Sequence, residues 1–117
     1  MLWQAPPPAP PPPVAFHTAT LHRRAHAIDV ELFAVTQVPV RATISRAGRR
    51  LGRGADATDR GSTSIRVRIG PKGLKPLRRG IHVDVAIEYG APEPLRAHPA
   101  LLLAPRGEAA LRTRRGA

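Results

Sequence analysis

Hydrophobic and polar residues alternate over several stretches of this chain. Residues 81–89 read IHVDVAIEY, with Ile81, Val83, Val85, Ile87 and Tyr89 on one parity and His82, Asp84, Ala86 and Glu88 on the other. Successive side chains of a strand point to opposite faces, so this spacing predicts a strand buried on one side and wet on the other. Residues 64–69 repeat the pattern with Ile65, Val67 and Ile69 inward and arginines outward, and residues 40–45 repeat it with Val40, Ala42 and Ile44.

Four further strands are predicted around these three. Residues 14–21 form a first strand whose register the sequence leaves open. Residues 26–35 form a second, with Ile28, Val30, Leu32 and Ala34 inward and Phe33 and Val35 on the other face, so its far end is either covered on both sides or bulged. Pro39 interrupts the ladder before the third strand, residues 40–46. A glycine-containing turn at 47–49 leads to a short return strand beginning at 50–52, and 54–61 (GADATDRG) reads as a loop. The fifth strand is 62–69. Residues 70–80 are a crossover in which Leu74 and Leu77, three apart, can plug one end of the fold from a single helical turn. The sixth strand is 81–89, and the seventh, 95–103, follows a GAPEP turn. Seven short strands at this spacing, without a helical period, predict an all-β antiparallel sandwich, with a small barrel as the alternative.

Composition sets the limits of that domain. Of 117 residues, 1–13 are a proline-rich stretch that supplies few backbone donors and fits a disordered polyproline spacer. Residues 105–117 read as a basic flexible tail, which leaves 14–104 for the folded domain. Val, Ile, Leu and Phe together number 27, close to the lower bound of about 20% for a charged chain that folds. A thin core of this kind implies modest stability.

Charge changes the picture more than size does. Nineteen Lys and Arg against eight Asp and Glu give a net charge of +11. All but Lys72 and Lys75 of the nineteen are arginines. One reading is an anionic partner: nucleic acid, acidic glycan or anionic lipid. The other is codon bias, since arginine, alanine, proline and glycine are all in excess and asparagine is missing. With no cysteine there is no disulfide framework or thiol chemistry. No signal peptide is visible at the N-terminus, and the longest apolar run, 100–104, is far too short to span a bilayer. The compartment is not readable from these features.

The segments VRATISRAGRRLGRG and GSTSIRVRIGPKGLKPLRRGIHVDVAIEYG resemble the immunoglobulin-like or fibronectin type III-like repeats of proteins from GC-rich actinobacteria. The shared pattern is an alternating strand, a Gly-Arg hairpin, a short leucine-containing return strand, a Thr/Ser-led Val-Arg strand, a Leu-Gly-Arg crossover and a long alternating strand. It covers residues 40–89 well and 27–38 loosely. In place of the aspartate-glycine-asparagine turn of many such repeats stands GAPEPLR. His82 sits near the start of the long strand and Tyr89 at its end, where fibronectin-type domains often carry an early tyrosine. The resemblance implies a seven-stranded immunoglobulin-like antiparallel β-sandwich serving as a non-catalytic spacer or adhesion module, extracytoplasmic in many relatives. It carries over no active-site residue.

Candidate chemistry is sparse. His22 and His26 have the spacing of a metal pair on a helix, with His17 as a third candidate, but two arginines intervene and the segment fits a turn. Asp56 and Asp59, with Glu93, lack the acidic ladder of a calcium loop and suit an Asx turn. Ser62 or Ser64 with His82 and Asp84 lack a nucleophile elbow. No metal, cofactor, catalytic residue or small-molecule substrate is therefore expected.

Arginine clusters remain. Arg46, Arg49, Arg50 and Arg53 surround one hairpin, and Arg78 and Arg79, beside Lys72 and Lys75, decorate the crossover. The planar guanidinium fork suits phosphate and carboxylate. Aromatic platforms for bases are scarce, and no helix suits a major groove, so nucleic-acid binding would be purely electrostatic. The sequence thus predicts a structural or interaction module with a protein or anionic polymer as partner. The alternative is an electrostatic anion-binding protein that uses Arg46, Arg49, Arg50, Arg53, Arg78 and Arg79.

Overall fold

A computed structural model describes residues 13–104 of the chain; the expected proline-rich spacer (apart from Pro13) and the basic tail lie outside the described residues. In chain order the elements are β1 (Val14–His22), β2 (Ala27–Ala34), β3 (Pro39–Arg46), β4 (Arg49–Ala57), β5 (Gly61–Arg68), α1 (Pro71–Leu74), β6 (Asp84–Glu88), β7 (Leu95–Ala97) and β8 (Leu102–Leu103). One sheet, A, has the order β5-β2-β1-β8, and the other, B, has the order β4-β3-β6-β7. The all-β, two-sheet architecture agrees with the sequence pattern. The strand count is eight rather than seven, and one pairing, β1 with β8, is parallel rather than antiparallel.

The alternation read from the sequence fills the space between the sheets. Ile28, Val30 and Leu32 of β2, with Ile65 and Val67 beside them on β5, pack with Val40, Ala42 and Ile44 of β3 and Val85 and Ile87 of β6 in one buried cluster. Phe33 and Val35, on the opposite parity, lie exposed rather than covered.

The register of β1 is hidden by a bulge. Phe16 pairs with Leu32 and Thr18 with Glu31, so His17 is the extra residue. Inward positions therefore change from even (Val14, Phe16) to odd (Ala19, Leu21), which breaks the period-two signal. Pro13 already belongs to the fold, since its carbonyl accepts a hydrogen bond from the Val35 N–H at 3.0 Å.

The fourth strand is longer than expected: residues 54–57 continue β4 and are not a loop. A second bulge lies in β4, where Leu51 is the extra residue opposite the step from Ile44 to Ser45 of β3. Gly52 and Gly54 pair with the inward residues Ile44 and Ala42, so β4 presents glycine to the interior. The backbone of β5 occupies the space a side chain would fill. A Cβ on Gly52 would stand 2.2 Å from the Arg68 carbonyl oxygen, and one on Gly54 would stand 2.4 Å from that of Arg66. Sheets A and B thus meet along the β4–β5 side with almost no side-chain layer between them.

The last expected strand is divided. Residues 95–97 pair with β6 in sheet B, and 102–103 pair with β1 in sheet A. Between them His98-Pro99-Ala100 carries the chain across, and Pro99 has no N–H with which to continue a ladder. Its carbonyl instead accepts the Val83 N–H at 3.0 Å, while Leu101 N–H donates to Ile81 at 2.8 Å. The same crossing shortens the sixth strand to Asp84–Glu88, with His82 outside it, joined to Ala100 by an isolated bridge and to the His98 carbonyl through Nδ1 at 3.1 Å.

Two devices close the ends of the sandwich. At one end α1, begun by Pro71 at its first turn, sets Leu74 against the core and leads to the fully buried Leu77. At the other end Thr58, also fully buried, ties two connections together. Its Oγ1 accepts the Val38 N–H at 2.9 Å and donates to the Thr36 carbonyl at 3.0 Å. Thr58→Val keeps the shape and leaves Val38 N–H unpaired. It is expected to lower unfolding free energy by about 1–3 kcal/mol in urea titration, and an unchanged midpoint would show the hydroxyl to be dispensable.

Candidate functional site

The outer face of sheet A carries one well-built polar cluster. Asp29 stands opposite Thr20 of β1 and Arg66 of β5, and it is only 7% exposed. Arg66 donates to it as a fork, Nε to Oδ1 at 2.9 Å and Nη2 to Oδ2 at 3.1 Å. His22 Nε2 reaches Oδ2 at 3.0 Å from the end of β1. Hydrogen bonding to Asp29 holds the Arg66 guanidinium above its ordinary pKa, and partial burial opposes the shift. A fork of this kind is directional and charge-assisted. It crosslinks three adjacent strands and occupies three of the carboxylate's roughly four acceptor directions.

Asp29→Ala should accordingly behave as a stability variant. With Arg66 half exposed, water compensates part of the loss, and the expected cost is about 2 kcal/mol by chemical denaturation. A cost under about 0.5 kcal/mol would show that the three strands do not rely on this carboxylate.

The outer face of sheet B is looser. Asp84 pairs with Nδ1 of His98, and the His82 and His98 rings stack with centroids 5.5 Å apart. These groups are exposed. Near the opposite end of the same sheet an open depression lies between Arg41, Asp56, Glu88 and Gly90. Its lining mixes both signs of charge and encloses nothing.

The sequence candidates fall as follows. His22 is engaged with Asp29, His17 packs on Phe33 with ring centroids 4.8 Å apart, and His26 lies in the β1–β2 turn, so the three histidines do not converge. Asp56 belongs to β4, where its Oδ1 accepts the Ala57 N–H, and Asp59 sits in the short β4–β5 connection. Among the described residues no group of three or more His, Asp and Glu side chains could hold a metal ion. Ser62 and Ser64 lie in sheet A and Asp84 in sheet B, so the triad considered for them is not assembled.

The arginines behave differently, because the topology gathers them. Arg46, Arg49 and Arg50 flank the β3–β4 turn, while Arg78 and Arg79 follow α1. Contacts tie these segments to one end of the sandwich. Gly73 of α1 lies against Leu51 beside the hairpin, and the Arg23 guanidinium donates to the Leu77 carbonyl at 2.6 Å. The Ile69 N–H donates to the His26 carbonyl at 2.8 Å. The β1–β2 turn, with Arg23 and Arg24, therefore joins the same end, a contribution the sequence reading missed. Arg53 stands apart, on the face of sheet B opposite Thr43. Among the described residues the only arginine within salt-bridge distance of a carboxylate is Arg66, so no described carboxylate pairs with the cations of this end.

Comparison with known proteins identifies a fold likeness. No protein-family model and no curated protein matches the chain. Among solved structures, the ligand binding region of Serine-glutamate repeat protein A (SgrA) of Enterococcus faecium is similar in fold. The TM-score is 0.52 at 10% identity, over 79% of this chain and 97% of that one. At that identity the likeness concerns the β-sandwich fold, and it assigns no residue a role.

Proposed function

We propose that this chain is a non-catalytic interaction module: an immunoglobulin-like sandwich that binds a partner through its surface. The observation that carries this reading is the condition of its polar clusters. Asp29 is engaged structurally by Arg66 and His22, Asp84 and the stacked histidines lie open to solvent, and the depression on sheet B is shallow and electrostatically mixed. A catalytic site ordinarily needs convergent polar groups in a concave, water-excluding pocket. The fold likeness to a region described as ligand binding supports the same reading.

The test is a turnover screen with chromogenic esters, glycosides and phosphoesters, run on the full chain and on Asp29→Asn and Asp84→Asn variants. No conversion above that of heat-inactivated protein is expected. Turnover that disappears in either variant would contradict the proposal and make that carboxylate catalytic.

A further inference from the structure

We propose that the end of the sandwich formed by the β1–β2 turn, the β3–β4 turn and the α1 crossover is the binding surface, and that it takes an acidic polysaccharide. This deepens the interaction-module reading and rests on it. The carrying observation is a segregation of charge along the long direction of the strands. At the proposed end stand Arg23 and Arg24; Arg46, Arg49 and Arg50; and Lys72, Lys75, Arg78 and Arg79. Asp84, paired with His98, is the carboxylate nearest to them along the strands. At the opposite end the balance reverses, with Asp56, Asp59, Glu88 and Glu93 beside Arg41 and Arg60. Compositional bias raises the number of arginines but gives no reason for them to collect on one end. Like charges held together without partners repel one another, so such an end is at its most stable when an anion lies on it.

The chemistry of the end selects among anions. It consists of tight turns and one helical turn, and no phenylalanine, tyrosine or tryptophan lies in them. Phe33 sits at the far end of β2, and Tyr89 follows the far end of β6. Stacking of bases on aromatic rings is therefore unavailable at this end, and its single four-residue helix is too short to read a groove. Exposed arginine forks on three separate turns instead suit a flexible chain bearing a sulfate or carboxylate on nearly every unit.

The experiment uses the full chain and a fluorescent sulfated glycosaminoglycan oligosaccharide at 0.15 M salt. One variant replaces Arg49, Arg50, Arg78 and Arg79 with serine. A charge-matched control replaces Arg41, Arg53, Arg60 and Arg96, all exposed and outside the end. Both variants should keep the wild-type circular dichroism spectrum, because every changed side chain is exposed. Affinity is expected to fall at least about tenfold in the first variant and less than about threefold in the second, on the Coulombic argument above. Equal losses in the two, or no binding by the wild type, would overturn the proposed surface while leaving the interaction module standing. Duplex DNA or anionic lipid vesicles binding as tightly as the oligosaccharide would overturn the assignment of a polysaccharide. Shortening of the oligosaccharide during incubation, followed by gel filtration, would instead contradict the non-catalytic reading itself.

Discussion

Gly52→Ala and Gly54→Ala are each expected to cost at least about 3 kcal/mol and to leave the domain largely unfolded at 37 °C. One methyl group is enough because of what it meets. The added Cβ would lie 2.2 Å from the Arg68 carbonyl oxygen at position 52, and 2.4 Å from the Arg66 carbonyl oxygen at position 54. Both obstacles are backbone, held in the β5–β2 ladder by the pairs Arg68↔Ala27 and Arg66↔Asp29. Neither can rotate aside as a side chain would, so either the two sheets separate along this side or β4 leaves its register with β3. Gly70→Ala is the matched control, since a Cβ there meets nothing within 4 Å and the backbone φ is an ordinary −66°. It should leave the urea midpoint unchanged. A Gly52→Ala protein as stable as the wild type would show that β4 and β5 do not approach as described.

Leu77→Ala carries the second large effect, an expected loss of about 2–5 kcal/mol. Leu77 is fully buried although it lies in a connection, and it shares the core with both sheets. Its own carbonyl is gripped by Arg23, and its N–H donates to the Leu74 carbonyl at 3.0 Å. The residue is thus fixed from both sides, and the space left by truncation has little freedom to collapse. Leu103→Ala, at an exposed position of β8, should cost under about 1 kcal/mol in the same denaturation experiment. Equal effects for the two substitutions would mean that the crossover does not seal the core.

What the sequence disclosed and what it concealed have separate physical causes. Strands β2, β3, β5 and β6 were legible because each keeps one parity inward throughout its paired length, so period two survives. Strand β1 was legible as a strand but not in register, because the bulge at His17 reverses its parity midway. The second half of β4 reads as a loop because Gly54 and Asp56 are ordinarily turn signals, and only the closeness of β5 explains the glycine at 54. The break at Pro99 divided one expected strand into two, each too short to announce itself. Leu74 and Leu77 were recognisable as a plug by their spacing.

The basic end was half legible. The hairpin arginines and the crossover cations stood out as separate clusters, but that they share one end follows from strand alternation. In an antiparallel sandwich the connections after the first, third and fifth strands all emerge on the same side. Counting connections would have brought Arg23 and Arg24 into the group as well. The engagement of Asp29 with His22 and Arg66 was not legible at all, since it depends on the pairing of three strands, one of them from a distant part of the chain.

The measurement that bears most directly on the account is a titration of isotope-labelled full chain with the sulfated oligosaccharide, followed by amide chemical shifts. Saturable changes confined to the β1–β2 turn, the β3–β4 turn and residues 70–80 are the predicted result, with Asp29, Thr58 and the depression at Arg41 and Glu88 unmoved. Changes centred on that depression or on the Asp29 cluster, with the three turns silent, would contradict the account and place the working surface of this protein on a sheet face.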